Sequence, residues 1–450
     1  MVKLALIGGG GVRAPLFVQA ALTRASKIGL SEIALMDTDG AQLEIFGTIA
    51  REIVRQQASA VTISTTTDAR VAITGADFVV TTIRPGGIAG RIADERIALD
   101  LGVLGQETTG AGGFAMALRS IPIILDYARL IQELAPNAWL LNFTNPAGLV
   151  TQALHNAGFS QAVGICDSAN GAQHAVAHWL GISSRQVDAE LFGLNHLSFS
   201  PRVLVDGVDV LPRALADDRF LDSSAQRVFE RSLVRRHGVW LNEYLYYFYY
   251  AEKAVAALQA GPSRGEEIGL LNAELQGQLA EIDLTADPAA GLAAYFAYEQ
   301  RRSGSYMRSA RQTTAIEEAP VAPDGEGYAG VALDIIEALT GGRALRTGLN
   351  VPNQGAIAAL RDDDIVEVAC TIDADGIRPV AVGNLPEQQS YLIQSVKHYE
   401  RLTVAAIAAR DRVLAIEALA AHPLVLSYSR ATPLVDQYLA AHADFTGDWS

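Results

Sequence analysis

Cysteine is nearly missing. Only Cys166 and Cys370 occur in 450 residues, so no disulfide framework holds the fold, which suits a reducing cytoplasm. No stretch approaches the roughly 18 unbroken apolar residues of a membrane helix. The run Leu4 to Ile7 is too short for a signal-peptide core and ends in glycines. An excess of positive charge is also lacking. Lys and Arg number 35 against 50 Asp and Glu, a formal net charge of −15, which repels phosphate backbones and anionic membrane surfaces unless basic residues gather locally. These absences predict a cytoplasmic protein that binds neither nucleic acid nor membrane. Apolar residues, by contrast, make up 50% of the chain and charged ones 19%, enough for a packed core and incompatible with wholesale disorder. A chain of this length is expected to form about two to three domains.

Through residues 1–199, apolar β-favouring runs alternate with longer helical patterns, the rhythm of βαβ units around a buried parallel sheet. Strands are expected at Lys3–Gly8, Ile33–Asp37, Val61–Thr65, Phe78–Ile83, Trp139–Phe143, Ala162–Cys166 and Glu190–Phe199. Helices are expected at Arg13–Ser26, Ala41–Ala58, Met116–Leu134 and Ala172–Leu180, the last closed by Gly181. The first six strands suffice for a doubly wound nucleotide-binding sheet. After Phe199 the pattern changes to helical stretches at Ser224–Gln259, Ser263–Ile282 and Leu292–Ala310, strand-like pieces at Leu345–Val351, Ile365–Ile372 and Arg378–Val382, and a closing helical stretch at Gln388–Leu419. Residues 200–450 therefore read as α+β, not as a second nucleotide fold. Glu317–Gly330, with two prolines and several glycines among acidic residues, reads as a linker or mobile loop.

Leu4-Ala5-Leu6-Ile7 runs into Gly8-Gly9-Gly10-Gly11 and then into a helical pattern. Gly8 and Gly10 match the first two glycines of a dinucleotide fingerprint, which permit a tight turn and close approach of backbone to pyrophosphate. Arg13 stands where the third is usual. The second strand ends in Asp37, whose carboxylate can accept from an adenosine ribose and would repel a 2′-phosphate, favouring NAD over NADP. The alternative is a tight turn in an α/β enzyme that takes another ligand. Ligands of such sheets lie beyond the carboxyl ends of the strands, and here those ends are polar. Phe78–Ile83 leads to Arg84 and on to Arg91, Asp94 and Glu95, Trp139–Phe143 leads to Thr144-Asn145-Pro146, Ala162–Ile165 leads to Cys166-Asp167, and a further run ends in Asn195-His196. Thiolate and imidazole both suit a borderline divalent ion. Cys166 and His196 nevertheless form no metal motif, and their spacing alone favours a half-buried thiol and a structural histidine. The aromatic run Tyr244 to Tyr250 reads as core or subunit interface, with a phenol available as a base if a metal or cofactor lies near it. Arg264, at a helix start, either binds an anionic group or pairs with Glu266 and Glu267.

Taken together, these residues resemble glycoside hydrolase family 4, the NAD- and divalent-metal-dependent glycosidases that stand outside the two-carboxylate mechanism. The resemblance spans nearly the whole chain. It runs through Gly8–Gly11, Asp94-Glu95-Arg96, Gly105-Gln106-Glu107-Thr108-Thr109-Gly110, Asn142-Phe143-Thr144-Asn145-Pro146, Gly164-Ile165-Cys166-Asp167, Gly193-Leu194-Asn195-His196 and Glu243-Tyr244-Leu245, then Asn353-Gln354-Gly355 and Ile365-Val366-Glu367-Val368. It implies an α/β fold: a Rossmann-type NAD-binding sheet in residues 1–199, carrying metal and substrate loops, and an α+β substrate and oligomerisation domain in 200–450, like that of lactate and malate dehydrogenases. Gly8, Gly10, Gly11, Asp37 and Asn145 would meet the cofactor, and Cys166 and His196 would hold Mn²⁺ or another divalent metal. Arg84, Arg91, Asn145 and Arg264 would meet the substrate, the arginines taking a 6-phosphate or positioning the sugar. The implied chemistry is hydride transfer from C3 to NAD, loss of the C2 proton to Tyr244, elimination of the aglycone with a proton from Asp167, addition of water at C1 and return of the hydride. Asp167 after the cysteine is familiar from 6-phospho-α-glucosidases. Gly10-Gly11-Val12-Arg13-Ala14-Pro15 and Glu243-Tyr244-Leu245-Tyr246-Tyr247 look like the 6-phospho-β-glucosidase branch, so a 6-phospho-β-glucoside is the expected substrate. The alternatives are 6-phospho-α-glucosides, unphosphorylated glycosides and, in another enzyme class, a 2-hydroxy acid for a dehydrogenase. The family and the aromatic run imply a homodimer or homotetramer.

Overall fold

The computed structural model describes residues 1–304 and 327–449. A nine-stranded sheet lies at its centre. β1 (Val2–Ile7) has β2 (Leu30–Met36) and β3 (Thr62–Thr66) on one side and β4 (Phe78–Thr81), β5 (Trp139–Asn142) and β6 (Ala162–Gly164) on the other. All six run parallel, in the spatial order 3-2-1-4-5-6 of a doubly wound dinucleotide fold. The central strands are continuous apolar runs because both of their faces are covered, and Leu4 through Ile7 are wholly buried. The longer crossover helices are α1 (Ala14–Thr23), α2 (Gly40–Gln56), α3 (Gly87–Asp100), α4 (Gly110–Leu134) and α5 (Ala147–Asn156), and a short helix at Ala69–Ile73 joins β3 to β4. Asp39 starts α2 by accepting from the Ala41 and Gln42 amides. After β6, α6 (Gly171–Leu180) ends at Gly181 in the left-handed conformation, as its sequence predicts.

Glu190–Phe199 is not one strand. It forms a hairpin, β7 (Phe192–Leu194) and β8 (Leu197–Ser200), because Asn195-His196 makes a two-residue turn with His196 at φ 62°. The expected helix over Ser224–Gln259 is also broken. Gly238 closes Arg231–His237 in the left-handed conformation, Trp240-Leu241 pairs with β8, and Asn242 caps a short turn at Glu243–Leu245 before Ala251–Ala260 becomes helical. Beyond it stand α7 (Arg264–Ala280), α8 (Pro288–Gly304) and α9 (Gly327–Leu339). Of the expected loop Glu317–Gly330, residues up to 326 lie outside the described residues, and the remainder opens α9.

The second half also completes the first sheet. β9 (Leu345–Pro352) meets β6 antiparallel at Asn350↔Gly164, pairs along its length with β10 (Ile365–Asp373), and β11 (Gly376–Pro379) closes that edge. The long C-terminal helical pattern divides at Arg410-Asp411 into α10 (Glu387–Ala409) and α11 (Arg412–Ala421). Arg410 adopts the left-handed conformation and Asp411 caps the second helix. The C-terminal segment is tied beneath the β4 loop by the fully buried Arg119, which donates to both Asp94 oxygens at 2.6 and 2.7 Å and to the Pro85 carbonyl at 3.0 Å, while His442 approaches the same Asp94 at 2.6 Å. No helix among the described residues is long and apolar enough to cross a membrane.

Candidate active site

The carboxyl ends of the parallel strands open into a cleft of ≈ 1390 Å³, larger than a pocket for one drug-sized ligand. Gly8, Gly10, Gly11, Asp37, Arg84, Arg91, Asn145, Cys166, Asp167, His196, Tyr244 and Arg264 all line it. The sequence scatters these residues over more than half the chain; the sheet order brings every one of them to the same opening.

At one end, the glycine turn leaves β1 with Gly8 at φ 101°, where an added Cβ would lie 2.8 Å from the Thr82 carbonyl oxygen. A Cβ on Gly10 would press on the Asp37 carboxylate at 3.0 Å, and the Gly10 amide donates to Asp37 Oδ2 at that same distance. Asp37 Oδ1 accepts from the Asp39 amide at 3.2 Å. The carboxylate is therefore held by backbone donors beside a bare turn, with lone pairs left for a ribose. Arg13, in place of a third glycine, precedes α1 and faces solvent at the cleft.

Farther along, Cys166 follows β6 and His196 occupies the β7–β8 turn. Sγ of Cys166 lies 3.3 Å from Nε2 of His196. Metal bonds of about 2.3 Å to sulfur and about 2.1 Å to nitrogen at a right angle would put the two donors about 3.1 Å apart, so this pair fits one divalent ion. Nδ1 of His196 meets Thr108 Oγ1 at 2.7 Å, an arrangement that leaves Nε2 as the ligating nitrogen. Burial pushes His196 down to about 3 and drives the Cys166 thiol well up. The imidazole is thus neutral as a ligand must be, whereas the thiolate requires a bound cation. No third His, Cys, Asp or Glu joins them among the described residues. The Tyr244 ring lies flat on His196, centroids 3.7 Å apart at 1°, and the exposed Asp167 adjoins Cys166.

The third region is cationic. Glu107 bridges Arg84 and Arg91, the latter at 2.9 Å. Arg91 Nε also donates to Glu95 at 2.8 Å, and Glu95 in turn accepts from the Gly265 amide at 2.7 Å, at the start of α7. Ser263 and Glu266 form a capping box there, setting Arg264 in the first turn. Arg264 pairs with Glu267 at 3.0 Å, so both readings of this residue stand: it has an acidic partner and it lines the cleft. Desolvation, with Arg91, Arg302 and Arg13 nearby, lowers Arg84 from the usual guanidinium range, and these arginines crowded into one cleft can receive an anion. Arg302, Glu107 and Thr108 were not singled out from the sequence. Thr108 and Glu107 lie in the polar Gly105–Gly110 loop, which carried a signal. Arg302 sits near the end of α8 and carried none.

A model of family 4 glycosyl hydrolases matches residues 3–182, and one of the C-terminal domain of family 4 glycosyl hydrolases matches 191–425. A Bacillus subtilis (strain 168) protein named "Probable 6-phospho-beta-glucosidase" is 33% identical over 451 residues, 98% of this chain and 96% of that one. The solved structure of the Thermotoga maritima 6-phospho-beta glucosidase with manganese, NAD+ and glucose-6-phosphate superposes with a TM-score of 0.83 at 26% identity, covering 99% of each chain. A malate dehydrogenase from Plasmodium falciparum, 14% identical, shares the fold at a TM-score of 0.52 over 90% of this chain and 98% of that one. The fold is thus the α/β, dehydrogenase-like one expected, and the chain belongs to family 4 of the glycosyl hydrolases.

Proposed function

We propose that this enzyme hydrolyses 6-phospho-β-glucosides with NAD and Mn²⁺. The observation that carries the reading is the Cys166–His196 pair, 3.3 Å apart, in the same cleft as the Gly8–Gly11 turn; a 2-hydroxyacid dehydrogenase has no need of a thiolate–imidazole pair. When bound, NAD supplies a reversible hydride acceptor for C3, and the divalent ion, held by Cys166 and His196, supplies Lewis acidity at the C2 and C3 oxygens.

The chain's own residues do the rest. Asp37 binds the adenosine ribose, and the bare Gly8–Gly11 backbone admits the pyrophosphate. Asn145 lies between cofactor and sugar. Arg84, Arg91 and Arg264 orient the sugar and its 6-phosphate, with Arg13 and Arg302 adding charge at that end of the cleft. Tyr244 Oη, fixed by the ring stack on His196, takes the C2 proton once C3 is oxidised. The Asp167 carboxyl donates a proton to the leaving glycosidic oxygen. Water then adds at C1, passing its proton to the Asp167 carboxylate while Tyr244 returns the proton to C2, and return of the hydride makes the reaction a net hydrolysis that consumes no NAD. Residues 1–199 hold cofactor and ion, while 200–450 supply Tyr244, Arg264 and the surfaces of a dimer or tetramer working in the cytoplasm. Asp167 beside Cys166 favours a second reading, the α anomer.

The test is an assay with 4-nitrophenyl β-glucoside 6-phosphate, its α anomer and both unphosphorylated glucosides, each with and without NAD and Mn²⁺. Turnover confined to the β-phosphate with both additions is expected. Turnover without phosphate refutes the sugar-phosphate assignment, turnover of the α-phosphate alone refutes the anomer, and turnover of NAD-free protein refutes the mechanism.

A further inference from the structure

Cys166 and His196 come from different segments, yet both segments are tied to one buried carboxylate. Glu367 lies on β10 with no exposed surface, between the buried Val366 and Val368. Its Oε1 accepts from Asn195 Nδ2 at 3.1 Å and from Asn350 Nδ2 at 3.3 Å. Asn195 immediately precedes His196. Asn350 sits opposite Glu367 on β9, and its Nδ2 also reaches the Gly164 carbonyl at 3.4 Å, two residues before Cys166. A single carboxylate oxygen is therefore a common anchor for both arms of the donor pair.

The His196 arm has need of an anchor. Its φ of 62° is a costly conformation for a residue other than glycine. With a positive φ only at its second residue, the two-residue turn is of the type whose twist runs against that of the flanking strands. A carboxyl group in the middle of an apolar strand is itself expensive unless its hydrogen bonds serve some end.

We propose that Glu367 is a positioning residue of the metal centre: through Asn195 and Asn350 it fixes the spacing of Cys166 and His196, so that strands of the second half set the geometry of donors carried by the first. The inference rests on the reading that these two residues bind the ion. The effect of removing such outer-shell support is typically about 10- to 100-fold in metal affinity.

The test uses the full-length protein with NAD present, reading Mn²⁺ affinity from the electron paramagnetic resonance of free Mn²⁺ and NAD affinity from intrinsic fluorescence. Glu367→Ala and Asn195→Ala are expected to weaken Mn²⁺ about 10- to 100-fold while NAD affinity stays within about two-fold. Glu367→Gln, whose amide oxygen still accepts from both asparagines, is expected to recover to within about three-fold of wild type. Should Glu367→Ala fail to fold, Asn195→Ala, which leaves the carboxyl bonded to Asn350, decides the question. Wild-type Mn²⁺ affinity in the alanine variants, or parallel loss of Mn²⁺ and NAD affinity, overturns the positioning role. Cys166→Ser separates the two layers: if it retains Mn²⁺, the metal reading falls and this inference with it, whereas loss there beside unchanged binding in Asn195→Ala removes only the inference.

Discussion

Behind the cleft, His422 packs edge-on against Tyr399 at 4.5 Å and beside Phe248, its Nδ1 accepting from the Leu424 amide at 3.1 Å. Burial pushes it down to about 3, while an imidazole in the unfolded chain titrates near 6.5. Between those values the unfolded chain binds a proton that the native state refuses, so stability rises with pH across this window. The contribution of this group is complete above about pH 6.5 and shrinks on acidification by up to about 1.4 kcal/mol per pH unit. His422→Gln, which keeps an acceptor for Leu424 but cannot titrate, is expected to flatten the pH dependence of the urea midpoint between about pH 6 and 4 relative to wild type. Equal slopes in the two proteins would show that His422 is charged or exposed in the native state. Residues of this kind are not legible in sequence, where His422 is one histidine among eight. Gly8, Gly10, Asp37 and Cys166 were legible because each stands directly after an apolar strand, where a doubly wound sheet puts its ligands. For Cys166 and His196 the spacing favoured the bland alternative, and only the fold brings Nε2 to within 3.3 Å of the thiol.

At the scale of elements, the central parallel strands announce themselves as apolar runs, whereas the edge strand β3, TISTT and only partly covered, shows mainly by its β-branched residues; the sequence places all six within a few residues of their ends. The hairpin over residues 192–200 escaped because Asn195-His196 carries neither glycine nor proline to mark the turn. Its glycine lies earlier, at Gly193, where φ is 143° and a Cβ would stand 2.2 Å from the Leu197 carbonyl oxygen. That close approach lets β7 and β8 pair directly below His196. Gly193→Ala must push the strands apart, so a fall in melting temperature of about 3 °C or more is expected, together with weaker Mn²⁺ binding because the His196 turn moves with the strands. Calorimetry alongside Mn²⁺ titration checks both, and an unchanged melting temperature would mean that the hairpin absorbs a methyl group without shifting. β9 and β10 were likewise recognisable as strands, but nothing local in residues 345–373 encodes which edge they join. Antiparallel pairing to β6 is a long-range choice made by Asn350 meeting Gly164.

For the whole molecule, a net charge of −15 argues against polyanions but not against small phosphates, since Arg84, Arg91, Arg264 and Arg302 gather in one cleft. The more consequential property at this scale is that one sheet draws on both halves of the chain. β6 is an internal strand only because β9 covers it. Gln152 on α5 spends its amide on the Asp363 carbonyl at 2.9 Å and its oxygen on the Ile365 amide at 2.7 Å. Removing residues 200–450 would strip β6 of its neighbour on one side, leave Gln152 with no partner in the second half, and deprive Asn195 of Glu367 and the Gly164 carbonyl of Asn350. A bare apolar parallel edge of this kind is prone to aggregation and poorly stabilised. A fragment of residues 1–199 is therefore expected to lack a cooperative thermal transition by circular dichroism and to bind a hydrophobic dye, whereas the full chain should melt as one unit across the sheet. A fragment that melts sharply and binds NAD with full-length affinity would show instead that the six parallel strands are self-sufficient and that β9–β11 are an addition to a finished sheet.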